Sequence, residues 1–290
     1  ALKLFKADLG EKGSFNEPVK GCDVVVHVAA VVTQVVKEDP WKEVIDPVLD
    51  GVRNVVEACK INKVRRIVYT SSVATILMAE KHRRKELRGK PFTEDFWCHH
   101  VGPTYGTYNY SKVVSEQLLN ELWKGEMISI LPSWVLGPQQ NDQITSSQQV
   151  LRAIANKEYP RCPLLYFDCV DVRDVAGAHI YAVENDDMPT GRYNASGNRI
   201  NSCGELAEVM NKRVPGLNTT TGMMPWAVMW AVSWFDKRIS SYLLYERAVK
   251  YSPVSNDKLK KAGYVFKHPD LGQTCEDAVE SFKVFGILKK

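Results

Sequence analysis

Short apolar runs, each followed by a stretch with helical spacing, constrain this chain more than any other feature. Asp23-Val-Val-Val-His-Val-Ala29 is almost continuously apolar and is bounded by Gly21. Such a run suits a strand buried on both faces of a parallel sheet. From Trp41 to Lys60 the period changes. Val44, Ile45, Val48, Leu49, Val52, Val55, Val56 and Cys59 recur at helical spacing. Arg66-Ile-Val-Tyr-Thr70 predicts a second strand, a helix is predicted from about Thr107 to Lys124, and Met127-Ile-Ser-Ile-Leu131 predicts another strand. Leu2 to Ala7 also reads as a strand, followed by a loop and short amphipathic helix over 10–20. Further on lie a strand within Pro163 to Val172, a helix from Arg173 to Val183, a short strand over Gly191 to Ala195, and a mostly helical remainder from Asn201. This alternation implies βαβ units, an α/β fold with a parallel sheet, and right-handed crossovers.

Composition narrows the class. The 290 residues are 44% hydrophobic and 25% charged, which excludes disordered, collagenous and disulfide-scaffold proteins. A chain of this length buries a substantial core without covalent staples. The 38 basic and 34 acidic residues leave a net charge of +4, too mild to suggest a nucleic-acid partner. The six Lys and Arg residues between Lys81 and Lys90 read as a solvated loop, with an anion-binding patch as the sharper alternative. The seven cysteines are odd in number and none is paired at C-x-x-C spacing, which predicts reduced intracellular thiols and no metal site. No signal-peptide pattern opens the sequence, so the expected location is cytoplasmic.

The chemistry concentrates in Tyr105-Gly-Thr-Tyr108-Asn-Tyr-Ser-Lys112. Tyr108 and Lys112 are four apart at the start of a predicted helix and therefore share a face. An isolated Tyr-x-x-x-Lys is weak, but this one follows a buried strand ending in Ser71-Ser72 and precedes one ending in Pro132-Ser133-Trp134-Val135-Leu136-Gly137-Pro138. Reducing a carbonyl with hydride leaves an alkoxide that needs a proton. A phenol of ordinary pKa, about 10, is a poor donor relay near neutrality, and a neighbouring ammonium lowers that pKa. A serine hydroxyl can steady the developing oxyanion, and Ser72 is preferred over Ser71 and Thr70. His27 reads as a packed strand histidine, and His99 with His100 as a loop pair.

In these pieces the sequence resembles the extended branch of the short-chain dehydrogenase/reductase superfamily, in particular the dihydroflavonol reductase, cinnamoyl-CoA reductase and 3β-hydroxysteroid dehydrogenase group. The matching segments are Lys6-Ala-Asp8-Leu9, Gly21 to Ala29, Val64 to Ser72, the Tyr108/Lys112 pair, Val135-Leu-Gly-Pro138 and Asp171-Val-Arg-Asp-Val-Ala176, in the family's order over nearly the whole chain. The resemblance implies a Rossmann-like doubly wound parallel sheet with a helix-rich carboxy-terminal substrate lobe. The chain reads as a single domain of 290 residues, with a cofactor-binding core over roughly 1–138 and a mixed core strand plus substrate lobe over 139–290. The resemblance further implies Ser72, Tyr108 and Lys112 as the catalytic triad. Asp8 and Leu9 would lie beside the adenine, and Ala29 and Ala30 would follow the strand under the cofactor. Pro132, Ser133 and Val135 would meet the nicotinamide amide, and Thr70, Tyr108 and Lys112 would complete the cofactor contacts. The implied cofactor is NADP, with NAD possible. The implied reaction is reduction of an aldehyde, ketone or acyl thioester, or the reverse alcohol oxidation, on an apolar small molecule by a monomer or homodimer. A steroid dehydrogenase at a membrane surface and a non-catalytic dinucleotide sensor or truncated pseudoenzyme are the alternatives.

Two departures accompany the resemblance. No G-x-G-x-x-G occurs, and Gly10-Glu-Lys-Gly13 follows the wrong strand and lacks a third glycine at Asn16. The chain as written is therefore expected to lack its first βαβ unit, the sheet to be amino-terminally incomplete, NADP(H) binding to be weak or absent, and stability to be lower than that of the intact protein. The asparagine that usually strengthens the family pattern is missing from Ile45 to Gly51, with Asn54 one turn on. In the lobe, Met223 to Phe235 is a 13-residue apolar stretch broken only by Ser233, too short to span a bilayer, which takes about 20 residues. Trp226, Trp230 and Trp234 within it form one drifting helical face, read as core or pocket wall, with a substrate wall or a membrane-surface helix ahead of Lys237 and Arg238 as alternatives.

Overall fold

The alternation is realised as seven strands and nine α-helices among the described residues of a computed structural model, which are 2–31, 36–83, 85–144, 146–235 and 239–288. In chain order these are α1 (Asn16–Val19), β1 (Val24–His27), α2 (Asp46–Ile61), β2 (Arg66–Thr70), α3 (Thr107–Leu122), β3 (Glu126–Pro132), β4 (Trp134–Leu136) and α4 (Ser146–Ala155). They continue with β5 (Tyr166–Asp171), α5 (Val172–Glu184), β6 (Gly191–Ala195), β7 (Ile200–Ser202), α6 (Cys203–Arg213), α7 (Trp226–Val232), α8 (Asp257–Lys261) and α9 (Leu271–Val284). The chain divides into two compact units. One comprises residues up to Leu77, Glu94–Leu131 and His179–Tyr193; the other comprises Met78–Thr93, Pro132–Ala178 and Asn194 onward.

The first unit is organised by a four-stranded sheet of order β1-β2-β3-β6. β1 and β2 are parallel with His27 opposite Tyr69, and β2 and β3 are parallel with Thr70 opposite Ile130. β2 is the buried strand that the apolar pattern predicts, with Ile67 and Val68 wholly covered. Against it, Val52, Val55, Val56 and Cys59 of α2 pack with Leu119 and Trp123. Each such valine contributes about 1.5–3 kcal/mol by leaving water. Arg66, only 1% exposed, is satisfied by the carbonyls of Ala182 (2.8 Å) and Asn185 (2.7 Å) and by the Glu126 carboxylate (2.7 Å).

Two expectations for this unit are corrected. Leu2 to Ala7 form no strand, and Leu2 and Leu4 are exposed. An extended segment becomes a strand only when another strand completes its ladder, and none pairs with it among the described residues. β1 is not buried on both faces, since Val26 and Val28 are exposed. Among the described residues it pairs with β2 alone, and an edge strand is covered less than a central one.

The second unit holds a three-stranded sheet of order β4-β5-β7. β4 runs parallel to β5 with Trp134 opposite Cys169, and β7 runs antiparallel with Ser202 opposite Tyr166. β4 and β7 have three residues each, too short to register as a period in the sequence. The core gathers Leu151 and Ile154 of α4, Phe167 of β5, Leu206 and Met210 of α6, and Val279 and Phe282 of α9. α6 starts in a reciprocal capping box in which Ser202 and Glu205 satisfy each other's backbone N–H.

The tryptophan stretch is also corrected. α7 ends at Val232, so Trp234 lies beyond it. Met229 is the buried residue, packed with Leu244 and Ala248. Trp226 and Trp230 are 38% exposed and Trp234 is 70% exposed, so the indoles do not form a core wall. Lys237 and Arg238 lie outside the described residues. Within the Lys81–Lys90 loop, Arg83 is buried rather than solvated. It stacks over Phe92 at 4.2 Å and donates to the Lys90 carbonyl at 2.8 Å.

Candidate active site

α3 is the element that positions the site, and it differs from α2 in what it buries. α2 hides valines and alanine, whereas α3 hides Asn109, Ser111, Lys112, Ser115 and Glu116. Polar groups withdrawn from water need partners, and a helix that buries this many is built for more than core packing. The chain enters α3 through Gly106, whose φ of 70° is left-handed backbone that glycine adopts without strain.

The partners lie at the carboxyl end of β2. Lys112 donates from Nζ to the Thr70 carbonyl at 3.1 Å and lies 5.7 Å from the centre of the Tyr69 ring. Its burial pushes its pKa down to about 8, while the Glu116 carboxylate pulls the other way. The amine therefore remains mainly protonated at neutrality. Thr70 is also gripped through its hydroxyl, 2.7 Å from Nε2 of His179. Ser72 follows as the cap of the turn Val73–Thr75, its Oγ accepting the Ala74 N–H at 3.1 Å. That leaves the hydroxyl proton to be donated elsewhere. Asn109 ties the start of α3 to this turn by donating to the Ala74 carbonyl at 2.9 Å. Ser72, Tyr108 and Lys112 thus belong to one unit and to two tethered elements, with Ser72 and Tyr108 half-buried.

The other sequence-predicted residues are placed as follows. Ala29 and Ala30 follow β1 at the same edge of the parallel sheet as Thr70, Ala29 exposed and Ala30 half-buried. Asp8 is exposed and its carboxylate accepts the Gly10 N–H at 2.8 Å. Leu9 packs against the α2 core, and its carbonyl accepts from Asn54 at 2.7 Å, so Asn54 is committed to the backbone. Pro132, Ser133 and Val135 belong to the second unit. Pro132 and Ser133 are buried, Val135 is half-buried, and the Ser133 N–H donates to Ala195 at 2.9 Å. His27 is a packed strand histidine, its ring 5.5 Å from that of Tyr69. His99 and His100 lie in a loop. Sequence reasoning missed Glu116, His179 and Arg192. Glu116 had a signal, being four residues past Lys112 on the same face, whereas the other two come from distant segments.

Helix α3 thus brings a buried lysine, one turn from a half-buried tyrosine, to the carboxyl end of β2. Residues 2–200 match the model of the 3-beta hydroxysteroid dehydrogenase/isomerase family. The chain belongs to this family. Among curated proteins, it is 32% identical to a dihydroflavonol 4-reductase of Zea mays, over 99% of this chain and 75% of that one. It is 29% identical to an anthocyanidin reductase of Vitis vinifera, over 99% of this chain and 82% of that one. Among solved structures, Gre2 of Candida albicans in complex with NADPH superposes with a TM-score of 0.72 at 24% identity, covering 96% of this chain and 82% of that one. That likeness is one of fold. The resemblance to the extended short-chain reductases and the Rossmann-like reading are both borne out. No helix among the described residues is long and apolar enough to cross a membrane.

Proposed function

We propose that this family member reduces a carbonyl group of an apolar small molecule with NADPH, Tyr108 acting as proton donor, Lys112 as its tuning cation and Ser72 as the hydrogen-bond donor to the substrate oxygen. The observation that carries the reading is the buried Lys112 ammonium held at the carboxyl end of β2, one helical turn from Tyr108. Ligands of open α/β sheets bind outside that end of the strands.

The residues present fit the nicotinamide-ribose part of such a cofactor. Lys112 has further N–H donors for ribose hydroxyls besides the one given to Thr70, and Ala29 and Ala30 follow a neighbouring strand at the same edge. Pro132, Ser133 and Val135 are the proposed contacts of the amide. Asp8 and Leu9 are the proposed adenine neighbours. The sequence contains no G-x-G-x-x-G, so no pyrophosphate contact is assigned. When bound, the cofactor supplies a hydride to the carbonyl carbon. Ser72 then donates a hydrogen bond to the oxygen as negative charge builds on it, and the Tyr108 phenol gives that oxygen its proton. The Lys112 ammonium stabilises the phenolate left behind.

The flavonoid reductases among the relatives favour a flat, aromatic carbonyl compound over a steroid. The direct test is loss of NADPH absorbance with a dihydroflavonol or cinnamaldehyde as oxidant. Turnover that Tyr108→Phe abolishes supports the reading. Turnover unchanged by Tyr108→Phe, or no NADPH oxidation with any carbonyl compound, overturns it and leaves a non-catalytic dinucleotide sensor.

A further inference from the structure

Tyr108, Lys112 and Glu116 stand four apart along α3 and form one stripe. Glu116 is wholly buried. Its carboxylate accepts the Ser71 hydroxyl at 2.7 Å and the Arg192 guanidinium at 2.9 Å (Nε) and 3.3 Å (Nη2). Arg192 in turn donates to the carbonyls of Glu94 (2.6 Å) and Phe96 (2.9 Å) and to the Thr75 hydroxyl (2.6 Å). Its guanidinium also stacks 3.8 Å over the Trp97 ring. Thr75 passes the constraint on, its hydroxyl donating to the Ser72 carbonyl at 2.8 Å. Ser72 is thus bracketed. The side chain before it and its own carbonyl are both tied to one ion pair.

A buried ion pair is a poor device for stability alone, because desolvating two charges cancels most of their attraction. Its attested use is to select one arrangement over near alternatives. We propose that the Glu116–Arg192 pair is the positioning element of the candidate site, holding the Ser71-Ser72 turn against α3 so that the Ser72 hydroxyl stays in register with Tyr108 and Lys112. This rests on the reductase reading of those three residues. Neither partner touches a reacting atom, so both are positioning residues. Glu116 has a second effect through charge. The Lys112 amine is faced by His27 from β1, by the Tyr69 ring from β2, and by Tyr108 and Glu116 one turn either side on α3. Glu116 is the group among them that favours the protonated amine.

Two variants test this on the full chain. Ser71→Ala removes one hydroxyl and leaves the ion pair in place. The Ala74 amide, held by Ser72 Oγ, should then exchange its hydrogen about tenfold faster. Glu116→Gln keeps the shape and removes the charge. The NMR-observed titration of the Lys112 amine should then fall below about 8, and Glu116→Asp should restore it in part. With NADPH and cinnamaldehyde, kcat should fall about tenfold in Ser71→Ala while KM for NADPH is unchanged. An unaltered Ala74 exchange rate in Ser71→Ala overturns the proposal even where Glu116→Gln fails to fold. Tyr108→Phe separates the two readings. If it leaves turnover intact, the reductase reading fails while Ala74 exchange still reports on the ion pair. If it abolishes turnover while Ser71→Ala changes neither kcat nor exchange, the positioning role alone fails.

Discussion

Lys112 donates to the Thr70 carbonyl at 3.1 Å, joining the middle of α3 to the last residue of β2. The bond holds an ammonium in a place where a charge is costly. Its pKa, ordinarily 10.5, is pushed down to about 8, first by burial and against the pull of Glu116. Below about 8 the amine is protonated whether the chain is folded or not, and the folded state bears the full desolvation penalty, about 3 kcal/mol for a shift of this size. From about 8 to 10.5 the unfolded chain binds more protons, so Lys112 makes stability rise with pH. Lys112→Met should therefore be the more stable protein at neutrality, with a margin that shrinks across that window. Urea unfolding of both proteins at pH 7 and 10 measures it, and a constant difference contradicts the assignment.

On the proposed mechanism the same charge is required for turnover. NADPH-dependent reduction should decline as pH rises through about 8, where Lys112 loses its proton. Tyr108→Phe should cost about 100- to 10,000-fold in kcat, the usual worth of a positioned proton donor. Its far-UV circular dichroism should match that of the unaltered chain, since Tyr108 is only half-buried.

His27 makes stability pH-dependent on the acid side. Burial, then the Lys112 charge, lowers its pKa from 6.5 to about 4. Below 6.5 the unfolded chain takes a proton that the folded chain refuses, so stability is lost as pH falls from 6.5 towards 4. His27→Gln should flatten this part of the curve. Denaturant titrations at pH 7 and 4.5 decide it, and an equal loss in both proteins rules His27 out as the cause.

In the second unit, Gly197 permits a close backbone approach. A Cβ there would collide with the Cys169 carbonyl oxygen, a clash that only a backbone shift relieves. The Gly197 N–H also donates to the buried Asp168 carboxylate at 2.8 Å. Gly197→Ala should destabilise by about 3 kcal/mol, at the upper end for overpacking, read as a lower urea midpoint.

The aromatic stretch offers a paired test. Met229→Ala should cost about 2–5 kcal/mol, because it removes a buried side chain from a packed cluster. Trp234→Ala, at a position 70% exposed, should change stability by less than about 0.5 kcal/mol. The opposite ranking would mean that the tryptophans are the buried face.

Legibility followed the range of the interaction. Helix and strand periods are local, so α2, β2 and β6 lie where the spacing predicts them. Leu2 to Ala7 have the composition of a strand but no neighbouring ladder, and no local pattern reports a missing partner. The three-residue β4 and β7 are too short to carry a period and exist through their pairing with β5. Arg83 lies in a highly charged loop, yet Phe92 and the Lys90 carbonyl give it a buried place.

By itself the sequence determined the parallel α/β order and the placing of Tyr108 and Lys112 on one helical face. The first follows from short apolar runs alternating with helical spacing, the second from a spacing of nearly four residues per helical turn, all within single segments. Tertiary structure alone decided which polar groups leave water and what satisfies them. Glu116 meets Arg192 across 76 residues of chain, and Thr70 meets His179 across 109. A buried charge is tolerable only when such a partner arrives, and nothing in a local period names a partner that far away.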